Sequence, residues 1–401
     1  MSERRFVGPL ASFLQTEAGG GALLLVATVV ALGWANSPWA DGYFDFWHTK
    51  LQLGPDGWGI REDLQHWVND ALMAVFFFLI GLEIKREAAV GELREVKAAV
   101  LPALGALGGM AVPALLFVLL AGGGKAAQGW GIPMATDIAF AVGVLALLGP
   151  RVPGGLKVFL LTLAIIDDIG AIVVIAVFYS GGVAVPWLAA AAVCLAAVVA
   201  WQRFGFSSPL AYVPLGIVAW YCTYRAGVHP TIAGVALGVL TPAHPVDGRH
   251  VLEDLEHRLH PWSSFLVVPV FALANAGVAL GDGALGRALS SRVALAVFVG
   301  LVVGKTLGIS SFVLGARRFD VGRLPDGVHG GHVVGTAALG GIGFTVALFI
   351  TGLAFEDAAL QDEAKIGILA ASVVAGLIGA AVLAVLRDPK PEDVDLPAAT
   401  S

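Results

Sequence analysis

The chain has 401 residues, 57% hydrophobic and 13% charged, with a mean hydropathy of +0.83. That composition lies outside the range of soluble domains and describes a polytopic membrane protein; once about twelve spans of about 20 residues are set aside, no length is left for a large soluble domain. The formal net charge of -6 is too small and too scattered to give a nucleic-acid partner any footing. Cys194 and Cys222 sit in apolar text as small buried hydrophobes, silent on redox compartment, and no metal-binding spacing is present.

Hydropathy and turn residues predict spans near 16–36, 64–84, 98–121, 130–149, 156–180, 185–203, 208–225, 228–241, 262–280, 292–315, 332–353 and 364–386. The first of these has the outline of a signal peptide as well, but in a chain with so many further apolar runs it is taken as a span. An even number of spans puts both termini on one side. Of the 24 Lys and Arg residues, sixteen fall on that side, seven on the other, and Lys305 lies inside a span. The positive-inside rule therefore places both termini in the cytoplasm.

Between the first two spans, KLQLGPDGWGI (50–60) has two strand-like pieces around Gly-Pro-Asp-Gly, where Pro presets φ and Gly accepts φ > 0. A small extracytoplasmic β-hairpin over 50–61 is expected. Its open edge offers pairing to a second copy of the chain, hence a homodimer, with a plain solvated loop as the alternative.

Two spans are interrupted. WGIPMATDIAFAVGVLALLG (130–149) begins with Gly and Pro and carries Thr136 and Asp137 before it turns helix-like. HVVGTAALGGIGFTVALFITGL (332–353) is broken by Gly340, Gly341 and Gly343 before Phe344. With Ala139-Phe140 aligned on Gly343-Phe344 the two look weakly alike, each the middle member of three spans. Interrupted segments at matching places point to inverted repeats, about 98–180 and 292–386, with a site at their interface. Chance similarity of Gly-rich apolar text is the competing explanation. The remaining spans, about 12–87 and 185–280, are assigned to the interface and dimer face. The longest polar run, 242–261, ends in an amphipathic helix start with Glu253, Asp254, Glu256, His257, Arg258 and His260, and the tail at 388–401 reads as disordered.

Within the span near 156–180, which contains LLTLAIIDDIGAIVVIAVFYS (160–180), Asp167 and Asp168 lie about twelve residues, or about 18 Å, from each end of an apolar helix, close to the bilayer midplane. Each carboxylate there costs on the order of 3 kcal/mol, so such groups are paired, protonated or wetted by a cavity. Neighbouring helix residues point about 100° apart, so the two divide their labour: one lines a cation site, the other turns to a partner. Lys305 is the intramembrane base available for that role. Carboxylates suit Na⁺ or Li⁺, hard ions that take oxygen ligands, with the Thr136 hydroxyl, backbone carbonyls or water completing the shell. Asp137 and Lys305 have an electrostatic reading too: a carboxylate offsets two half-helix N-termini and an ammonium two C-termini, and for Asp137 this competes with direct ligation. Protons and Na⁺ competing for the same oxygens make an exchanger, provided the site faces each side in turn. Glu83, Arg86, Glu256, His257 and His260 cluster at the cytoplasmic edge, where histidine titration gives a pH response or the charges merely end helices. His229, beside Pro230, is a further histidine to place.

The strings NDALMAVFFFLIGLEIKRE (69–87), ATDIAFAVGVLALLG (135–149), LAIIDDIGAIVVIAVFYS (163–180), GVHPTIAG (227–234), LEHRLHPW (255–262), FALANAGV (271–278), GKTLGIS (304–310) and GIGFTVALFI (341–350) resemble the NhaA family of bacterial Na⁺/H⁺ antiporters, over about residues 12–387 and in family order. The resemblance implies an all-α fold of twelve transmembrane helices, two inverted three-helix repeats with discontinuous helices 4 and 11, and electrogenic export of Na⁺ or Li⁺ against external protons. It implies Asp168 as principal cation ligand, Asp167 as its neighbour paired with Lys305, and Asp137 and Lys305 as compensators of helix ends. Glu83, Arg86, Glu256, His257 and His260 match positions tied to pH response, with His229 kept as a further candidate whose plainer reading is a satisfied buried histidine, and the hairpin matches a dimer contact. No cofactor is implied; lipid surrounds the chain. Thr306 after Lys305 and Pro230 after His229 depart from the family pattern, and bear on pH profile and ion preference. A Na⁺-coupled organic-solute transporter on the same scaffold has no evident use for an adjacent Asp pair. An intramembrane aspartyl protease needs its aspartates on two helices in Tyr-Asp and Gly-x-Gly-Asp contexts, which this chain lacks.

Overall fold

The computed structural model describes residues 4–386 apart from 56, 150, 151, 205–208, 247 and 282, so the expected disordered tail lies outside the described residues. Among the described residues, six helices are long and apolar enough to cross a membrane, and up to nine spans result if each of three sharply bent pairs is one crossing. The chain is a multi-pass, mostly helical membrane protein.

Helix α1 (Arg4–Ala35) turns by 115° into the short α2 (Ala40–Trp47). Strands β1 (Lys50–Leu53) and β2 (Ile60–Asp63) pair antiparallel, from Lys50 against Asp63 to Leu53 against Ile60. The expected hairpin is present and runs two residues further than its predicted end. Gly54 and Gly57 take φ of +96° and +85°, which only glycine adopts without strain. The Tyr221 hydroxyl donates to the Trp58 carbonyl at 2.6 Å, and the Tyr224 hydroxyl to Glu62 Oε1 at 2.7 Å. One side of the hairpin is thus docked on its own chain, while all four residues of β1 are exposed.

Helix α3 (Leu64–Ala89) holds a π-turn at Val68–Leu72, and α4 (Val96–Ala121) contains Pro102 and Pro113. A 3₁₀ stretch, Gly124–Met134, then leads through residues 135–137 into α5 (Ile138–Leu148), bent by 42°. Helix α6 (Gly154–Phe178) carries the aspartate pair. Helices α7 (Val185–Arg203), α8 (Val213–Arg225) and α9 (Thr231–Leu240) come next, the last two shorter than their predicted spans. Helix α10 (Val251–Trp262) runs through a π-turn at Ser263–Val267 into α11 (Val268–Asn275). After α12 (Ala284–Ser290) comes α13 (Arg292–Arg318), with a π-turn at Gly300–Gly304. Helices α14 (Gly330–Leu339) and α15 (Phe344–Ala354) form the second broken pair, bent by 48°, before α16 (Ala358–Val385).

Large apolar side chains stay exposed along the outer helix faces, among them Val29 on α1, Leu119 on α4, Val177 on α6 and Leu377 on α16. Such a belt is stable against lipid tails and costly against water. Without a hydrophobic drive between helices in lipid, association rests on close backbone approach at small residues. Helices α4 and α13 cross where Gly108 meets Gly308: a Cβ on Gly308 would lie 2.7 Å from the Gly108 carbonyl carbon. This crossing sets the depth of Lys305, one turn away on α13.

Gly308→Ala is expected to cost about 1–3 kcal/mol through overpacking and to lower the detergent melting temperature. Gly315→Ala on the same helix, whose Cβ would meet nothing within 4 Å, is the control. Equal melting temperatures for the two variants would show that the crossing does not constrain the fold.

Candidate cation and proton site

Asp167 and Asp168 lie near the middle of α6, 1% and 5% exposed, and the 100° between successive helical residues sends them to different places. Asp167 turns into the protein. Its Oδ2 is ion-paired with the Lys305 ammonium and accepts a hydrogen bond from the Thr136 hydroxyl at 2.7 Å. Its Oδ1 is buried with no hydrogen-bond partner among the described residues. Lys305 is fully buried, and among the described residues its ammonium bonds to Asp167 alone. It directly succeeds the π-turn of α13, and its N–H reaches the Gly300 carbonyl five residues back. The extra residue in that turn rotates the remainder of α13 by about 100°, which aims the lysine. Sequence reading gave the lysine two roles, partner of an aspartate and charge for the half-helix C-termini; the contact seen here is with the Asp167 carboxylate.

Asp137 sits between the two broken pairs. Its Oδ1 accepts from the Phe140 N–H at 3.1 Å, capping α5, and its Oδ2 accepts from the Thr345 N–H at 3.0 Å, at the start of α15. The Thr345 hydroxyl adds a second bond to Oδ2 at 2.6 Å, the third on the carboxylate. One carboxylate therefore meets both half-helix N-termini, where orphan N–H groups and partial positive charge favour an anion. The breaks are also joined by the Asp137 N–H to the Ile342 carbonyl at 2.6 Å. Phe140 and Phe344, aligned in the sequence, pack edge to face with ring centres 5.1 Å apart. Thr136, the preceding residue, lies 2.9 Å from the Gly340 carbonyl as well as against Asp167. Its single hydroxyl proton serves one of these oxygens at a time.

Asp168 turns the other way, onto a cavity of about 1200 Å³. Thr136, Asp137, Asp168 and Thr345 line its buried end, and Glu83 and Arg86 line it towards the polar face. No protein donor among the described residues is hydrogen-bonded to Asp168. Thr345 is the residue that sequence reading missed. Its signal was available: it falls at the second position of the half-helix after Gly343, where a free N–H must find an acceptor.

At the polar end of the cavity Arg86 is ion-paired with Glu256 and lies 3.3 Å from Glu87. His260 is buried and lines the same cavity, whereas His257, on the preceding turn, is exposed. Burial pushes the Glu256 carboxyl above its ordinary range, against the pull of Arg86 and His260. His229 stands apart from this cluster: Nδ1 is 2.8 Å from the Thr231 hydroxyl, Nε2 is 3.3 Å from Asp70, and the ring meets Phe349 edge to face. Five of the six residues considered for pH response thus lie on α3 and α10, and the sixth packs elsewhere.

Two outcomes test these pairings. Lys305→Ala leaves Asp167 buried without its cation, a loss of about 3–5 kcal/mol for a fully buried pair, and should lower the detergent melting temperature by many degrees; an unchanged value would count against the pairing. Arg86→Gln removes the cation from Glu256, whose folded-state pKa rises further. Stability present below the unfolded pKa is then lost as pH rises through the folded value, so the melting deficit should widen from acid to alkaline pH. With a third of the Arg86 side chain in water, the loss is on the order of 1–2 kcal/mol; a deficit that narrows with pH would overturn it.

The sequence model of the family described as Na+/H+ antiporter 1 matches residues 11–383. The chain is 49% identical over 378 residues to the Na(+)/H(+) antiporter NhaA of Acidovorax sp. (strain JS42), covering 93% of this chain and 91% of that protein. It is 46% identical over 416 residues to the Na(+)/H(+) antiporter NhaA 2 of Sorangium cellulosum (strain So ce56), covering 93% and 89%. Against the Na(+)/H(+) antiporter NhaA of Shewanella sp. (strain ANA-3) the figures are 47% over 371 residues, covering 92% and 95%. The chain belongs to the Na+/H+ antiporter 1 family.

Proposed function

We propose that this chain is a secondary transporter that exports Na⁺ or Li⁺ in exchange for external protons across a bacterial inner membrane. The observation that carries the reading is the division of the aspartate pair: Asp168 faces the cavity without a protein donor among the described residues, while Asp167, next to it, is held by Lys305 and Thr136. Asp168 is the cation ligand reached from the cavity; Asp167 contributes its unpartnered Oδ1 and is released as the cation competes with Lys305 for it. Thr136 supplies a hydroxyl ligand. Asp137 compensates the helix ends instead of ligating. Because carboxylate oxygens bind either protons or a hard cation, occupancy by one excludes the other, and alternating exposure of the site turns that competition into exchange. If more protons than cations move per cycle, the membrane potential contributes about 2.3 kcal/mol per charge per 100 mV.

On this reading the bundle comprises twelve spans with both termini in the cytoplasm, and the cavity opens to the cytoplasm beside Glu83, Arg86, Glu256, His257 and His260, the groups that adjust activity to pH. The two three-helix repeats, about 98–180 and 292–386, meet at the paired breaks, in keeping with the Phe140–Phe344 contact. The open edge of β1 pairs with that of a second protomer to form a homodimer.

The test is proton flux in everted vesicles or proteoliposomes, with Na⁺, Li⁺ and K⁺ compared, for the wild type and Asp168→Asn. Na⁺ and Li⁺ should dissipate the pH gradient in the wild type, K⁺ should not, and the variant should lose the response by two orders of magnitude or more. Wild-type flux in Asp168→Asn would defeat the site, and flux indifferent to Na⁺ would defeat the function.

A further inference from the structure

Two carboxylates line the buried end of the cavity, Asp137 and Asp168, yet the antiport reading gives the cation to one of them. Depth and cavity access are shared, so neither explains the difference. Their donors do. Asp168 has no protein hydrogen bond among the described residues, whereas Asp137 takes one N–H on Oδ1 and two donors, an N–H and a hydroxyl, on Oδ2. Both lone pairs of Oδ2 are therefore engaged. A hard cation that approached this oxygen would have to displace a donor first, and the backbone N–H groups, fixed by the ends of α5 and α15, cannot turn away. The remaining donor is the side chain of Thr345, 3% exposed and on the cavity wall beside the carboxylate it covers.

We propose that Thr345 is a specificity-determining positioning residue, whose hydroxyl closes Asp137 to the cation and leaves Asp168 as the open carboxylate of the cavity. The helix cap on Asp137 is already made by the two N–H groups, so the hydroxyl is not required to hold the breaks together; its effect is on which oxygen an entering ion finds available. Valine keeps the size and branching of threonine and removes only that donor; serine keeps the donor. The inference rests on the antiport reading, in which Asp168 receives Na⁺ from the cavity.

The experiment measures Na⁺ binding at alkaline pH by titration calorimetry on the purified full chain, together with antiport in proteoliposomes. Wild type and Thr345→Ser should bind about one Na⁺ per chain. Thr345→Val should bind a second, unproductive Na⁺, with turnover at saturating Na⁺ reduced several-fold and little change in the apparent affinity for transport. Asp168→Asn should bind none, and Thr345→Val combined with Asp168→Asn should regain one weak site. A merely structural role for Thr345 predicts a lower melting temperature in Thr345→Val with stoichiometry still at one and no binding by the double variant, which overturns the proposal while leaving the antiport site intact. Na⁺ bound by Asp168→Asn with Thr345 present would overturn both.

Discussion

The chain breaks two helices inside an apolar bundle, and each break leaves backbone N–H and C=O groups where no bulk water can take them. Asp137 resolves the N-terminal half of that problem with one side chain, and the breaks in turn supply the donors that make a buried carboxylate tolerable. Neither is stable without the other, since an unmet carboxylate and unmet N–H groups at this depth are both expensive. The backbone bond from Asp137 to Ile342 then fixes the crossing. Once the crossing is fixed, Thr136 has no freedom: it must lie against Gly340 on one side and Asp167 on the other.

The second constraint is the charge on α6. Adjacent aspartates cannot share an environment on a helix, so one is driven inward and the other towards the cavity. The inward carboxylate needs a cation, and α13 provides it through a local distortion, the π-turn that aims Lys305, seated where Gly304 touches the backbone of Pro113. A regular α-helix of the same sequence would point this lysine elsewhere. The glycine crossing with α4 and the π-turn therefore act together, one setting the height of the ammonium and the other its direction.

These features differ in how plainly the sequence declares them. Charges in apolar text are costly and rare, so Asp137, Asp167, Asp168 and Lys305 stand out by themselves. Gly and Pro clusters mark both breaks and the hairpin turn for stereochemical reasons. The three π-turns are invisible to the same reading, because one extra residue per turn changes neither composition nor hydropathy. Thr345 was hidden for a related reason: a threonine in a helix is inconspicuous until the fold brings a carboxylate from 208 positions away to its N–H. The partner of Lys305 was legible as the nearest spare carboxylate; that its ammonium would bond, among the described residues, to Asp167 alone was not, since helix C-termini were equally available on paper. Helix ends were harder to read where helices are short, as at Val213–Arg225 and Thr231–Leu240, since the Pro209–Tyr212 turn and residues 226–228 prolong the apolar text beyond the helix ends.

The geometry also ties occupancy to shape. Asp167 Oδ2, the Thr136 hydroxyl and the Gly340 carbonyl form a chain of oxygens at 2.7 and 2.9 Å, and the last belongs to the backbone of a helix break. Any ion that draws on Asp167 competes with Lys305 and with the Thr136 proton. When Asp167 Oδ2 is taken by another partner, the Thr136 hydroxyl has the Gly340 carbonyl as its remaining hydrogen-bond acceptor. The binding site and the broken helix thus share atoms, so a change at the carboxylate need not travel through a rigid body to reach the element whose rearrangement would alter access. On the antiport reading this is the most direct place for coupling: the oxygens that choose between a cation and a proton are hydrogen-bonded to the same backbone that interrupts the helix.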